Sequence, residues 1–258
     1  MNLLRTVAAA FSMYSAIPMP QFAWDEKTPR YLLCAFPLVG GVVGGAVWGW
    51  LWFCGRFQIG RVLLAAAATT IPVLITGGIH LDGFCDTVDA LASHAPTEQK
   101  LQILKDAHLG AFALIGCCLY LLLTFGLWSE FPVSSRACGM IGIGFVASRA
   151  LSGLSVVTFR CAKTSGLAAG FADAAQKGRC AGFLLTIFWL CAYGMLWIQF
   201  QIGMACLLVL VAIFLFYQRT SYRQFGGITG DLAGWFLQLA EFGMLFAVIF
   251  AGRMVGWS

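Results

Sequence analysis

Seven long apolar stretches limit the possible folds of this chain more than any other feature of its sequence. They lie at residues 31–54, 62–80, 109–128, 137–159, 181–199, 203–218 and 232–252. Each is close to the ~20 residues that an α-helix needs to cross the hydrocarbon core of a bilayer. Charged residues make up only 10% of the chain, against roughly 25% in soluble domains. The sequence therefore predicts an all-α, polytopic membrane bundle with about seven transmembrane helices.

A shorter apolar segment, MNLLRTVAAAFSMYSAIPMP, precedes the first stretch. Pro18 and Pro20 are expected to stop a helix there, so we predict an amphipathic or half-inserted N-terminal helix. A signal peptide is the alternative, although the segment lacks a clear small-x-small cleavage site. No repeat or long linker divides the chain, so residues 1–258 are predicted to form one membrane domain. The glycines of GGVVGG, at 40, 41, 44 and 45, are predicted to allow close helix packing.

Basic residues are unevenly distributed between the loops. Ten lie in the loops at 18–30, 81–108, 160–180 and 219–231: Lys27, Arg30, Lys100, Lys105, Arg160, Lys163, Lys177, Arg179, Arg219 and Arg223. Four lie on the opposite side: Arg56, Arg61, Arg136 and Arg253. Because cytoplasmic loops carry the excess of Lys and Arg, the first set is predicted to face the cytoplasm. The net charge of +5 is modest and spread over the loops. It is therefore interpreted as setting the orientation of the protein in a lipid bilayer, with no nucleic-acid partner.

Three aspartates follow the second apolar stretch, within GGIHLDGFCDTVDAL at residues 77–91. At ~100° per residue, Asp82, Asp86 and Asp89 share one face of a helix. Three carboxylates so close together repel one another, and each is costly near hydrocarbon. A divalent cation removes both problems, and oxygen ligands suit Mg²⁺ or Mn²⁺. An acidic helix start that meets the helix dipole is the alternative, and it explains one aspartate better than three.

Two further polar patches are predicted to reach the same side of the membrane. LKDAHLGAF places Lys105 and Asp106 just before the third stretch. RQFGGITGDLAGWFLQLAE contains a glycine-rich turn between Arg223 and Asp231. The glycines of this turn would let backbone N–H groups approach an anion, and the following helix adds its dipole. The pattern suggests phosphate binding at the turn, with Asp231 within reach of a metal ion or nucleotide.

Polar residues also occur inside the apolar stretches. Asp231, Gln238 and Glu241 lie at helical spacing on one side of the last stretch, where a polar stripe is expected to face a cavity or a partner. Arg149, in VASRALSG, is another intramembrane charge that either contacts a substrate or pairs with Glu241. His80 lies about 160° from the first aspartate on a helix. It is therefore interpreted as a hydrogen-bond donor at the helix entry and not as a metal ligand.

Several motifs, in this order, resemble those of the adenosylcobinamide-GDP ribazoletransferase family, the cobalamin synthases of corrinoid assembly. They are FPLVGGVVG, GGIHLDGFCDTVDAL, ILKDAHLGAF, the dipeptide SR at 148–149 and GGITGDLAGWFLQLAE. The resemblance covers about residues 1–250, and the H-x-D-G-x-x-D-x-x-D and T-G-D patterns are its most specific parts. It implies a multi-pass enzyme that joins adenosylcobinamide-GDP to α-ribazole or its 5′-phosphate, releases GMP and uses Mg²⁺.

The resemblance and the residue chemistry together give the predicted site. Its residues are the metal ligands Asp82, Asp86, Asp89 and Asp231, the catalytic groups Asp89, Lys105 and Asp106, and the substrate-binding groups His80, Arg149, Arg223 and Glu241. Either Asp89 or Asp106 is the predicted general base. Three positions depart from the family pattern: Ala107 and His108 replace a serine and an arginine, and Gln238 replaces a glutamate.

Two other functional classes remain open. A CDP-alcohol phosphotransferase of lipid synthesis also has an Asp-Gly motif at the membrane edge, but Cys85 and Asp86 stand where its pattern requires Ala-Arg. A cation-coupled transporter would explain the polar residues in the apolar stretches. It would not require the surface lysine and aspartate of the third motif, and the sequence lacks the paired interrupted helices of inverted repeats. A homo-oligomer is compatible with each of these functions.

Overall fold

A computed structural model describes residues 3–20, 29–162, 170 and 175–256. This part of the chain contains ten complete α-helices and no β-strand. The helices are α1 (Leu3–Tyr14), α2 (Leu32–Phe57), α3 (Arg61–Thr76), α4 (Ile79–Ala92), α5 (Thr97–Ile103), α6 (Ala111–Ser129), α7 (Ser135–Thr158), α8 (Lys177–Ile198), α9 (Phe200–Gln224) and α10 (Gly230–Met254). A 3₁₀ turn at Pro29–Tyr31 leads into α2.

Six helices in the described residues are long and apolar enough to cross a membrane. They are α2, α6, α7, α8, α9 and α10. Helices α3 and α4 reach the required length only as a pair, and they are bent by 96° at the break between them. Six spans, or seven with this pair, agree with the predicted all-α polytopic bundle. The short apolar helix α1 ends at Tyr14, before Pro18, as the sequence predicted.

Two consecutive glycines produce the bend between α3 and α4. Gly77 and Gly78 have φ angles of 65° and 79°, a left-handed conformation that glycine adopts at little cost. Their N–H groups donate to carbonyls in the last turn of α3, at 3.3 and 2.9 Å. The sequence predicted one continuous span over residues 62–80, and this detail is wrong because the glycines end the first helix. The aspartates therefore lie on a separate helix that turns away from the direction of α3.

Helix α7 lies at the centre of the bundle and packs along α2 through two glycines. A Cβ on Gly40 would overlap the carbonyl oxygen of Phe145, and one on Gly44 would lie 2.9 Å from another carbonyl oxygen of α7. Among the described residues, no atom lies within 4 Å of the position of a Cβ on Gly41 or Gly45. The prediction that the glycines of GGVVGG allow close helix packing is therefore confirmed for Gly40 and Gly44 and wrong for Gly41 and Gly45.

Contacts between loops define the two ends of the bundle. At one end, the chain after α7 is joined to the turn before α10 by two backbone hydrogen bonds of 2.8 and 2.9 Å. We call this the acidic end, because it also carries α4. At the opposite end, Arg61 donates to the carbonyl of Phe131 at 2.6 Å. Lys27 and Lys163, which belong to the predicted basic loops, lie outside the described residues.

Candidate functional site

Helix α4 and the first turns of α10 cross closely at the acidic end. A Cβ on Gly83 would lie 2.8 Å from the Cα of Asp231, and a Cβ on Gly234 would lie 3.0 Å from the carbonyl oxygen of His80. Both distances are shorter than ordinary van der Waals contacts between carbon and its neighbours. The crossing therefore requires glycine on both helices, and it brings two motifs that are far apart in sequence into contact.

Four aspartates lie near this crossing, close enough for their charges to interact. The negative charges of Asp82, Asp231 and Asp89 all act on Asp86. Asp82 is exposed, whereas the other three carboxylates are partly buried. The face of aspartates predicted from their spacing is thus present on α4, and Asp231 joins it from α10. Because like charges at short range repel, this cluster is well suited to bind a cation.

An apolar cavity of about 300 Å³ lies beside Asp82 and Asp231. Its walls come from α1, α2, α4, α7 and α10, and most of the lining side chains are apolar. The apolar residues include Met13, Tyr14, Leu33, Phe36, Val156 and Leu237. The rings of Tyr14 and Phe36 lie 4.3 Å apart between centroids. The cavity therefore combines an aromatic and aliphatic interior with two carboxylates.

Asp89 is directed toward the start of α6. Its Oδ1 accepts a hydrogen bond from the N–H of Ala113 at 3.4 Å, and a Cβ on Gly110 would overlap both carboxylate oxygens. Gly110 occupies the N-cap position of α6 and has no side chain to accept a bond from the helix start. Asp89 supplies that acceptor from α4. This contact adds a structural role to those of metal ligand and base, which stay predictions.

Lys105 and Asp106 are exposed in the turn before α6, at the surface where the sequence predicted them. The Oδ1 of Asp106 accepts a bond from the backbone N–H of His108 at 3.0 Å and lies 2.7 Å from its ring Nδ1. These hydrogen bonds lower the pKa of Asp106. A carboxylate held in its ionised form is a weaker proton acceptor, which argues against Asp106 as the base. Gly110 follows Asp106 by four positions, so their Cα atoms are at most ~14 Å apart.

The glycine-rich turn before α10 packs against the chain that follows α7. A Cβ on Gly227 would lie 2.5–2.6 Å from backbone atoms of residues 160–162. The N–H groups of Gly227 and Ile228 donate to backbone carbonyls at 3.1 and 2.8 Å. Of the three glycines predicted to let N–H groups approach an anion, at 226, 227 and 230, the prediction is wrong for Gly227, because close approach of two chains explains this glycine. It stays a prediction for the other two. Thr229 caps α10, and its hydroxyl also donates to Oδ2 of Asp231 at 3.3 Å.

Arg149 is buried inside the bundle, with 1% of its surface exposed. It pairs with Glu241 of α10, which confirms one of the two interpretations of this arginine. Glu241 and Gln238 line a second, small cavity of about 30 Å³, whereas Asp231 lines the large one. The polar stripe predicted on the last span is therefore divided between two cavities.

His80 and Arg223 occupy contrasting environments. His80 is buried in the first turn of α4, lines the large cavity and has its ring 5.8 Å from that of Phe36. Within the described part of the chain, its Nε2 has no hydrogen-bond partner, so this atom is not the predicted donor at the helix entry. Arg223 is exposed in the last turn of α9, which places it at the acidic end.

Three residues that shape this end were missed by the sequence reasoning. Gly83 and Gly110 allow the contacts of Asp231 and Asp89, and glycine inside a helix is a signal that could have found the first of them. Lys100 is 6% exposed, and its Nζ donates to Gln224 at 2.5 Å, linking α5 to α9. Nothing in the sequence around Lys100 indicates that this lysine is buried, because lysines in polar loops are usually exposed.

The donor set suits a hard divalent cation that a substrate helps to hold. Among the described residues, no three His, Cys, Asp or Glu side chains converge to form a complete metal site. Mg²⁺ is usually bound through one or two carboxylates, with water and substrate phosphates as the other ligands. Two of the carboxylates of Asp82, Asp86 and Asp231 would be enough for this open kind of site.

These features define a class of protein: a polytopic helical membrane protein with a carboxylate cluster and an apolar cavity at one end of its bundle. The particular family follows from comparison with known proteins. The chain matches the family model described as cobalamin-5-phosphate synthase over residues 6–249, and it belongs to this family.

Relatives in three bacteria share nearly the full length of the chain. The adenosylcobinamide-GDP ribazoletransferase of Lachnoclostridium phytofermentans is 43% identical over 255 residues, which cover 99% of this chain and 97% of that protein. The enzyme of the same name from Clostridium perfringens is 34% identical over 92% of this chain and 94% of its own. The one from Desulfitobacterium hafniense is 31% identical, over 93% and 95%. No solved structure matches the chain. The family resemblance seen in the motifs is thus confirmed.

Proposed function

We propose that this protein is a membrane transferase that joins adenosylcobinamide-GDP to α-ribazole or α-ribazole 5′-phosphate. The products are adenosylcobalamin or its 5′-phosphate, together with GMP. Family membership and the names of the relatives support this choice of substrates. The structural observation that carries the proposal is the meeting of the α4 aspartates with Asp231 beside an apolar cavity. Phosphoryl transfer requires that the negative charge on the phosphoryl oxygens be neutralised, which a cation held by the aspartates would do. The apolar cavity offers a place for an apolar part of a substrate.

The reaction replaces one bond to phosphorus by another. The ribose 3′-hydroxyl oxygen of the ribazole forms a bond to the corrinoid-side phosphorus of the pyrophosphate. The bond from this phosphorus to the bridging oxygen breaks, and GMP leaves with that oxygen. The hydroxyl proton passes to a carboxylate. Catalysis of such a step consists mainly of positioning and of charge neutralisation on the phosphoryl oxygens.

We assign Asp82, Asp86 and Asp231 to the binding of Mg²⁺, which Mn²⁺ can replace in a site of oxygen ligands. When bound, the ion would neutralise the phosphate oxygens and help to hold the pyrophosphate. The contact between Gly83 and the backbone of Asp231 fixes the spacing of the carboxylates on the two helices. The exposure of Asp82 leaves this cluster open to a charged nucleotide.

The other polar residues divide into two groups by burial. Lys105 and Arg223 are exposed at the acidic end and would attract the anionic nucleotide. Arg149 and Glu241 form an ion pair inside the bundle, so we assign them to its stability. The proton acceptor is assigned to the carboxylates of α4 and not to Asp106, because His108 holds Asp106 in its ionised form.

We also propose that the acidic end faces the cytoplasm from the bacterial cytoplasmic membrane. In the sequence, ten basic residues occur in the loops predicted for the cytoplasmic side and four in those predicted for the opposite side. Positively charged loops are retained on the cytoplasmic side. This orientation would expose the carboxylate cluster to cytoplasmic nucleotides.

Release of GMP tests the function directly. Purified protein with adenosylcobinamide-GDP, α-ribazole 5′-phosphate and Mg²⁺ should release GMP as adenosylcobalamin 5′-phosphate forms. EDTA should stop this release, and added Mg²⁺ or Mn²⁺ should restore it. Release of CMP from CDP-diacylglycerol with an alcohol acceptor would instead identify a CDP-alcohol phosphotransferase. Ion flux into proteoliposomes without GMP release would identify a transporter.

A further inference from the structure

The size and lining of the cavity beside the aspartates indicate which substrate group it holds. Its volume of about 300 Å³ is roughly twice the ~150 Å³ of a cavity that holds a benzene ring. Its walls are mainly apolar, and the neighbouring rings of Tyr14 and Phe36 offer aromatic surface. Flat ring systems pack favourably against such side chains. The cavity therefore suits a planar, bicyclic and mostly apolar group.

The two substrates contain three bulky groups that differ in size and polarity. The corrin ring with its amide side chains is far too large for a cavity at the lower end of the ~300–1,000 Å³ found for drug-sized ligands. Guanine is small enough, but it carries donors and acceptors along most of its edges, whereas the polar side chains of the lining are few, namely His80, Asp82, Ser152 and Asp231. Burial of the polar edges that find no partner is unfavourable. The dimethylbenzimidazole ring of ribazole is bicyclic and apolar except for its ring nitrogens. It is the group that matches both the volume and the lining.

We propose that this cavity binds the dimethylbenzimidazole ring of ribazole against Tyr14 and Phe36, with the ribose directed toward Asp82 and Asp231. The inference rests on the proposed function and specifies how the acceptor substrate is held. Leu237, in the cavity wall, follows Asp231 by six residues on α10, a rise of ~9 Å. This length suits a nucleoside whose base lies inside the cavity and whose sugar hydroxyl reaches the carboxylates.

Two neighbouring valines of α7 provide a matched test. Val156 lines the cavity, whereas Val157 is as buried but does not belong to its described lining. Val156→Phe reduces the space and should raise the KM for α-ribazole at least ~10-fold, with the KM for adenosylcobinamide-GDP changed less than ~2-fold. Val157→Phe adds the same volume to α7 and should leave both KM values within ~2-fold. Because KM does not depend on the folded fraction, partial misfolding does not affect this comparison.

An enlarged cavity should accept a larger base. Val156→Ala is expected to raise kcat/KM for the α-riboside of naphthimidazole, which has a third fused ring, by ~5-fold or more relative to α-ribazole. A poorly folded variant would not gain this activity. Unchanged specificity in both Val156 variants would overturn the assignment. A rise confined to the KM for adenosylcobinamide-GDP would also overturn it, and would instead place guanine in the cavity. GMP release by the wild-type protein tests the function separately, since its absence would contradict the reaction itself.

Discussion

Asp86 is the carboxylate on which the charges of the three other aspartates act, so the loss of its charge should have a large effect on the metal site. We expect Asp86→Asn to reduce turnover at least ~100-fold, because asparagine keeps the volume of aspartate and loses its charge. The variant should accumulate in the membrane and unfold at a temperature close to that of the wild type. Measurements of GMP release and of thermal unfolding in detergent check both statements. Full activity would exclude Asp86 as a metal ligand.

Asp89 contacts the start of α6 as well as the aspartate cluster, and substitutions can separate these roles. Asparagine keeps an oxygen that can accept the bond from Ala113, and alanine does not. We therefore expect Asp89→Asn to retain at least ~5-fold more turnover than Asp89→Ala, because the contact with α6 orders the turn that carries Lys105. Gly110→Ala should resemble Asp89→Ala, since its Cβ would displace the carboxylate. Equal loss in Asp89→Asn and Asp89→Ala would show that the charge itself is required.

Arg149 and Glu241 form a pair whose members depend on each other. Removal of one partner from a buried pair leaves an uncompensated charge and typically costs about 3–5 kcal/mol. Glu241→Ala should therefore lower the unfolding temperature in detergent strongly. Replacing both residues by methionine should be less damaging than this single change, because no buried charge remains. A double variant less stable than Glu241→Ala would contradict this view of the pair.

At the residue scale, helical spacing was sufficient to predict that Asp82, Asp86 and Asp89 share a face, because spacing fixes direction within one helix. It could not show that Asp89 faces the start of α6 or that Asp231 lies against Gly83. Those contacts depend on how helices cross, and the crossing is set by close backbone approach at glycines. The pairing of Arg149 was predictable as an alternative because an intramembrane charge requires a partner.

At the scale of elements, the contact between α2 and α7 can be tested with two adjacent glycines. A methyl group on Gly40 meets the backbone of α7, whereas one on Gly41 has open space. Gly40→Ala should destabilise the protein by about 1–3 kcal/mol through overpacking, and Gly41→Ala should have little effect. Thermal unfolding of the two variants in the same detergent makes the comparison. Equal stability of both variants would show that the helices do not pack as described.

The break between α3 and α4 shows what an apolar pattern leaves undetermined. Residues 62–80 are apolar enough for one span, and the pattern alone gave no boundary at Thr76. Gly77 and Gly78 mark the break, but a pair of glycines also occurs inside α2, at 40 and 41, where the helix continues. The difference lies in the tertiary contacts, because glycine tolerates both conformations.

At the scale of the whole molecule, orientation can be tested with introduced cysteines. Gln102 and Gln58 are exposed and lie at the acidic and opposite ends. In sealed right-side-out vesicles, a membrane-impermeant maleimide should label Gln58→Cys and leave Gln102→Cys unlabelled above the background of native cysteines. Inverted vesicles should give the opposite result, because positive loops stay in the cytoplasm. Labelling of Gln102→Cys from outside would reverse the proposed orientation.

The number of spans and the all-helical class followed from apolar length, because only helices or closed barrels satisfy every backbone group within lipid. The arrangement of the helices did not follow. In a membrane, the side chains that face lipid are as apolar as those that face other helices, so hydrophobicity does not distinguish the two. The central position of α7 could therefore be seen only in the structure, where most of its residues are buried.

Helix α10 supplies Asp231, part of the cavity wall and the partner of Arg149, yet it follows the nine other described helices in the chain. During synthesis, domains form from the N-terminal side onward, so Arg149 enters the bilayer before Glu241 has been made. We expect the nascent protein to hold a charge without its counterpart until α10 inserts, and chains stalled before Gly230 to be inactive. The same helix thus completes both the bundle and the site, which links competence for catalysis to the completion of membrane insertion.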